Sequence, residues 1–258
     1  MGSLNNTDST SCTLERRGRV FILRLTSANP NDEHRLTPRL LSDILAALDA
    51  VDSHPDAAAL ITASHGKFFT NGLHLSWANQ KRSSRLPKLL ALFERVALRL
   101  LNLGIPTIAA VQGHAAGAGF LLAMAHDYRF MRSDRGFLYC AAVDAGVALP
   151  EGSVTLLREK MGGRALRDAV LRGEKYTATR AEGLGLVDWK GEGEEGVLEA
   201  ALAEAEVLVG REWERGVYRA LRKGMYGEAM DKLEEGVAMA KAKVVGKIGE
   251  DDDDDDDL

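Results

Sequence analysis

Cysteine is nearly absent, with only Cys12 and Cys140 in 258 residues. Their spacing suits neither a metal site nor a redox pair, which argues against a disulfide framework and fits a reducing intracellular compartment. Long apolar runs are missing too. None approaches the roughly 18 residues that a membrane span needs, so no membrane partner is expected. Residues 1–11 are polar and lack an apolar core, so no secretory signal is expected. Excess charge of one sign is confined to one place. Net charge is −5, and residues 251–257 supply seven aspartates; without them the balance is +2. Aromatics make up 6% and do not interleave with basic residues, so nucleic-acid binding is not expected.

What the chain does have is apolar content, 45%, enough for a large core with or without an appendage. Its most informative stretch is 105–120, Ile-Pro-Thr-Ile-Ala-Ala-Val-Gln-Gly-His-Ala-Ala-Gly-Ala-Gly-Phe. Residues 107–111 predict a buried strand and 120–125 a helix, joined by a turn of glycine and alanine. Small residues in such a turn admit a ligand close to the backbone. Free N–H groups at the helix start can hold an oxygen that gains negative charge. Tight packing of a helix on a sheet would use the same residues.

The rest of the chain alternates. Residues 13–25 predict a hairpin turning at Arg17-Gly18. Thr37-Pro38 predicts a helix start, followed by Leu40, Leu41, Ile44, Leu45, Leu48 and Val51 at helical spacing and stopped by His54-Pro55. Strands are expected at 58–62, in 67–75 before a second tight loop, and at 128–131 and 136–139. An amphipathic helix is expected at 86–103, carrying Leu89, Leu90, Phe93, Val96, Ala97, Leu100 and Leu101. Another starts at Leu149-Pro150-Glu151, and 177–188 predicts a short helix turning into a strand. Helices alone are expected at 197–209, 211–223 and 228–245. The pattern predicts an α/β class: a disordered leader (1–11), an α/β core (12–190), a C-terminal helical region (191–248) and an acidic disordered tail (249–258).

Two loops matter together, Asn71-Gly72-Leu73-His74-Leu75 and Gly113-x-x-x-Gly117-Ala118-Gly119. With Thr177 to Asp188 downstream, they resemble the crotonase superfamily. Within it, the chain is similar to plant-type Δ3,Δ2-enoyl-CoA isomerases. That similarity rests on Gly66-Lys67-Phe68-Phe69-Thr70-Asn71-Gly72, Ala78, Gly113-His114-Ala115-Ala116, His126-Asp127-Tyr128, Asp134-Arg135-Gly136 and Val143-Asp144-x-Gly146. The resemblance implies a spiral of ββα units with a C-terminal helical trimerisation region. It also implies an acyl-CoA substrate and an oxyanion hole made by the backbone N–H groups of Leu73 and Ala118. Asn71, Gly72, Leu73, His74, Leu75, His114, Gly117 and Ala118 would contact substrate, and Arg35 and Lys67 its phosphate end. No metal and no cofactor beyond coenzyme A itself is implied.

The resemblance also implies a departure. Isomerisation of a 3-enoyl thioester needs one base to take a proton at C2 and return one at C4. Plant members carry a glutamate for this just before Val-Asp-x-Gly; here that position is Ala142. The first of the two hydratase glutamates would fall at Leu121. Candidate replacement bases are Glu151, in the pair Glu151-Gly152, and His74, directly after the oxyanion residue. Asp144 is a weaker one, while His126-Asp127 is expected to be structural.

Three functions follow: a 3-enoyl-CoA isomerase with a relocated base, a divergent acyl-CoA hydrolase or lyase, or a non-catalytic acyl-CoA binder. A homotrimer or a dimer of trimers is expected. The C-terminal Asp256-Asp257-Leu258 lacks a Ser-Lys-Leu-type signal, so the cytosol is expected, with the peroxisome of plant relatives as the alternative.

Overall fold

The computed structural model describes residues 11–26 and 33–247, with side chains to 240. The expected leader and acidic tail lie outside these residues, apart from Ser11. Two parallel-dominated sheets organise the chain. The larger has strand order β1 (Cys12–Arg17), β2 (Val20–Leu25), β3 (Ala59–Ala63), β5 (Thr107–Val111), β7 (Tyr128–Arg132), β9 (Trp189–Gly191), and only β1 runs antiparallel to its neighbour. The smaller is β4 (Phe68–Thr70), β6 (His114–Ala116), β8 (Leu138–Tyr139), all parallel. After the β1–β2 hairpin, which lies wholly in the larger sheet, strands come in successive pairs (β3–β4, β5–β6, β7–β8) with one strand in each sheet, and helix follows each pair. This is the ββα spiral that the resemblance implies.

Local chemistry explains the best-formed elements. α1 (Pro38–Ser53) begins where Thr37 Oγ1 accepts the Leu40 N–H at 3.1 Å, with Pro38 at its first position. Its buried residues are the six of the expected apolar stripe. β5 is buried throughout, as its β-branched and small residues predict. The structure adds α2 (Leu75–Gln80) and α6 (Gly163–Arg172), which the sequence does not announce. α6 turns a short stripe of Ala165, Leu166, Ala169 and Val170 to the core. α3 (Arg82–Leu101) starts ahead of the expected position and carries Pro87 inside it.

α4 (Ala118–Met124) follows β6, and α5 (Glu151–Lys160) follows the loop after β8. α7 (Ala178–Gly183) leads toward β9. One face of the larger sheet is covered by α8 (Glu194–Val209), whose Val197, Ala201, Ala205 and Leu208 join Val20, Ile22, Ile61, Ile108 and Phe130 in one core. α1, α3 and α4 contribute to a second core that also holds Leu23, Val111 and Phe69. The last two expected helices are merged in α9 (Arg215–Lys247), with a non-helical break at Tyr226. α9 packs on α3 and α5.

A buried ion pair fastens α9 to the sheet. Arg222 Nε lies 3.2 Å from Asp127 Oδ1, with side chains 4% and 11% exposed. Asp127 Oδ2 also accepts from Thr107 N–H at 2.9 Å, the Thr107 hydroxyl at 3.1 Å and the Tyr218 hydroxyl at 3.1 Å. Beside it, His126 bridges Leu122 O and Thr62 Oγ1, each at 2.8 Å, and burial pushes its pKa down to about 4. Removing one partner of such a pair leaves a buried charge uncompensated. Asp127→Ala is therefore expected to lower unfolding free energy by about 3 kcal/mol or more in denaturant titration; a loss under about 1 kcal/mol would contradict this account.

Candidate active site

The site is built from two loops that follow neighbouring strands of the smaller sheet. Because β4 and β6 run parallel, the chain leaves both at the same end, at Asn71–Leu75 and at Gly117. The loops touch through glycine. Gly72 has φ +74, and a Cβ there would lie 2.6 Å from Ala116 O and 3.1 Å from Ala118 N. Gly117, φ +55, is the N-cap of α4, and Ala118 is that helix's first residue. A Cβ on Gly119 would run into Thr70 O. Only small residues allow these backbones to approach so closely.

Hydrogen bonds fix the loops and omit two donors. Leu36 N–H donates to Gly72 O at 2.9 Å and His74 N–H to Leu36 O at 3.2 Å, bracketing Leu73. Gly117 N–H donates to Tyr139 O at 2.9 Å. Among the described residues, neither the Leu73 nor the Ala118 N–H bonds a protein acceptor. Ala118 sits at a helix N-terminus, where orphan N–H groups favour negative charge.

The third strand of the smaller sheet delivers the next wall. After β8 the chain passes Cys140, whose carbonyl lies 3.6 Å from a Cβ placed on Gly117, then Ala141 with φ 55, then buried Ala142. Leu121 is also buried. These two positions are thus apolar and enclosed, with no side chain able to move a proton.

The other expected residues separate. Half-buried His74 is the N-cap of α2, beside Leu73, and the Leu75 N–H donates to Leu73 O at 2.8 Å. Asn71 N–H donates to Glu33 O at 2.8 Å. Arg35 adjoins Leu36, which bridges to Leu73, and its guanidinium pairs with Glu33 at 2.6 Å. Lys67 precedes β4, at the end of the strand opposite Leu73, and its ammonium lies over the Phe68 ring. His114 opens β6, between the rings of Phe68 and Phe137, rather than at the Gly117 end. Burial, with Lys67, Arg135 and Lys175 adding to it, pulls the His114 pKa down. Asp144 is exposed and its carboxylate lies over Gly173 at the end of α6. Glu151 is 72% exposed and pairs with Lys232 of α9 at 3.5 Å. The position expected for a relocated base is thus a surface ion pair.

A different carboxyl is buried where α3 packs against α5 and α9. Glu94 of α3 is 2% exposed, and burial pushes its pKa up to about 7 against a smaller pull from the Ser153 N–H and hydroxyl. The sequence signal was its place on the helix, four residues after Leu90 and three before Ala97, within the apolar stripe.

Glu94 makes stability depend on pH. An unfolded glutamate loses its proton near 4.5, the folded one near 7. The folded state therefore holds the extra proton between these values, and stability falls as pH rises through that window. At about 1.4 kcal/mol per pKa unit the loss is about 3 kcal/mol. Glu94→Gln is expected to flatten this fall and to raise the melting temperature at pH 8. An unchanged pH dependence would contradict the assignment. At the loops, Gly72→Ala is expected to destabilise by at least about 1–2 kcal/mol, since φ is positive and the Cβ has no room.

Comparison with known proteins gives this geometry a family. Residues 18–254 match the family model described as enoyl-CoA hydratase/isomerase. Enoyl-CoA delta isomerase 2, peroxisomal, of Arabidopsis thaliana is 42% identical over 225 residues, 84% of this chain and 92% of that protein. Enoyl-CoA delta isomerase 3 of the same plant is 41% identical over 223 residues, with 84% and 92% covered. Among solved structures, an enoyl-CoA hydratase/isomerase family protein from Pseudomonas syringae superposes with TM-score 0.81 at 21% identity, covering 91% of this chain and 98% of that one. An enoyl-CoA hydratase from Bacillus halodurans does so with TM-score 0.77 at 21% identity, covering 92% and 94%. Fold, paired loops and sequence agree: the chain belongs to the enoyl-CoA hydratase/isomerase family of enzymes.

Proposed function

We propose that the protein acts on acyl-CoA thioesters and isomerises 3-enoyl-CoA to 2-enoyl-CoA. The observation that carries this reading is the pair of backbone donors, Leu73 and Ala118, on loops pressed together at Gly72 with no protein acceptor among the described residues. Both N–H groups would point at one thioester oxygen. When a proton leaves C2, that oxygen gains the negative charge of the enolate, and preorganised donors stabilise it without reorganising. Side chains contribute nothing to such donors, so Leu and Ala serve as well as any residue. The delta-isomerase names of the Arabidopsis relatives support the reaction class. The only cofactor chemistry needed is the coenzyme A of the substrate.

Asn71 to Leu75, with Gly117, would lie along the thioester, and Arg35 is the better placed of the two cations for the phosphate end. Ala142 and Leu121 give a specific reason to keep a second reading, other acyl-CoA chemistry such as thioester hydrolysis or carbon–carbon cleavage, since neither supplies a carboxylate. The exposed α9 residues Val217, Leu221 and Met225 recur every four positions and support a homotrimer that buries them, which sedimentation would test. The cytosol remains the proposed location, against the peroxisome named for two of the relatives.

Purified protein given 3-enoyl-CoA should form the 2-enoyl product, followed by absorbance or chromatography. Ala118→Pro removes one donor at the first position of α4, where proline is tolerated. It should lower kcat by about 100-fold or more. Full activity in that variant would reject the donor pair. No turnover by the wild type, with acyl-CoA still bound, would reject the isomerase.

A further inference from the structure

The last residue of β4, Thr70, is wholly buried and meets three segments at once. Its hydroxyl donates to His34 O at 2.6 Å and accepts the Gly72 N–H at 3.2 Å. Its methyl group and carbonyl face α4: a Cβ on Gly119 would lie 2.8 Å from Thr70 Cγ2 and would run into Thr70 O. Gly72 immediately precedes Leu73, and Gly119 immediately follows Ala118. His34 stands two residues before Leu36, whose backbone brackets Leu73. One side chain thus touches the flank of each N–H group.

Two features show that this placement is built. From Phe68 to Thr70, β4 advances two residues while β6 advances one, from His114 to Ala115. Irregular pairing of this kind re-aims a side chain and is found beside active sites. His34 has φ +47, a left-handed backbone uncommon outside glycine, and its carbonyl is the acceptor of the short Thr70 bond. Packing alone would be met by valine, which has the same shape and favours strands. What valine lacks is the hydroxyl. Without it the buried Gly72 N–H would lose its acceptor, and the loop would turn to find another.

We propose that Thr70 is a positioning residue for the oxyanion donors, its hydroxyl locking the Gly72 peptide so that the Leu73 and Ala118 N–H groups converge on one oxygen. This rests on the donor pair proposed above and extends it to a side chain. Thr70 acts through the backbone and not on the substrate itself. The thioester oxygen gains its full charge only as the proton leaves C2. A misdirected donor therefore weakens the transition state more than the bound thioester. Loss of the hydroxyl should appear in kcat rather than in KM.

The test compares the wild-type chain with Thr70→Val and Thr70→Ser. It measures kcat and KM for 3-hexenoyl-CoA, hexanoyl-CoA affinity, melting temperature, and the carbonyl stretch of bound hexanoyl-CoA labelled with carbon-13 at C1. Two convergent donors should lower that stretch below its value in buffer, and the band reports them without turnover. Thr70→Val should move the band back toward the buffer value and lower kcat by about 10- to 100-fold, with KM and affinity held within about threefold. Thr70→Ser keeps the hydroxyl, so it should hold the band near the wild-type position and recover most of the rate. A wild-type band and kcat in Thr70→Val overturn the role and leave the donor pair standing. A band displaced as far in Thr70→Ser as in Thr70→Val also overturns it. A wild-type band unshifted from buffer rejects the donor pair and the role with it. A shifted band without isomerisation, moved back in Thr70→Val, keeps the role and rejects the isomerase. Should Thr70→Val not fold, Thr70→Ala removes the same hydroxyl without added bulk, and a wild-type band there would overturn the role.

Discussion

The contact that the site depends on is backbone against backbone, Gly72 on the Ala116–Ala118 turn. It follows from topology. The three ββα units after the β1–β2 hairpin each place one strand in the smaller sheet, and parallel pairing makes β4, β6 and β8 end on the same side. The segments leaving those strands are then neighbours by construction. Glycine and alanine let two of them close to contact distance, and the third brings Ala142 beside them. Any larger side chain at Gly72 or Gly119 would separate the loops and move the two N–H groups proposed as donors.

Two buried carboxylates show how differently the fold treats charge. Asp127 is surrounded by Thr107, Tyr218 and Arg222, and its bonds tie the end of α4 and the start of β5 to α9. Among the described residues Glu94 has no ion pair, and its carboxyl lies against Gly152 and Gly236 beside Ser153. The first arrangement satisfies a charge and gains a fastening. The second leaves a charge partly unsatisfied, and its cost grows as pH rises. A structure that needed only packing at position 94 would be better served by leucine, which continues the stripe of Leu90, Ala97 and Leu101.

Much of this was legible in the sequence because local rules agreed with global ones. The stripe of α1, its Thr-Pro start and the all-buried β5 all appear as the periodicity and capping predict. So do the two loops, because glycines there answer a conformational need that neighbouring residues reveal. α2 and α6 are harder to read: α2 is six residues long, and the apolar stripe of α6 (Ala165, Leu166, Ala169, Val170) spans under two turns between two glycine-bearing ends. Glu151 looked like a base because it pairs with Gly152 near the expected position. In the structure its exposed side chain pairs with Lys232, and Gly152 lets the α9 backbone at Leu233 approach α5. Glu94 was visible only as a polar residue on an apolar face. Its surroundings are assembled from α5 and α9, which lie far along the chain, and no local pattern reports that.

The two halves of the proposed chemistry differ in how freely evolution can move them. Backbone donors are fixed by strand pairing and by φ, so they cannot migrate without rebuilding the loops. A carboxylate is held only by the requirement that its oxygen reach C2 and C4, and several helices bordering a pocket can meet that requirement. An alanine at position 142 therefore leaves the proposed electrophilic half untouched. What the remaining half demands is a carboxyl sheltered from water, unpaired, and free to exchange its proton near neutrality.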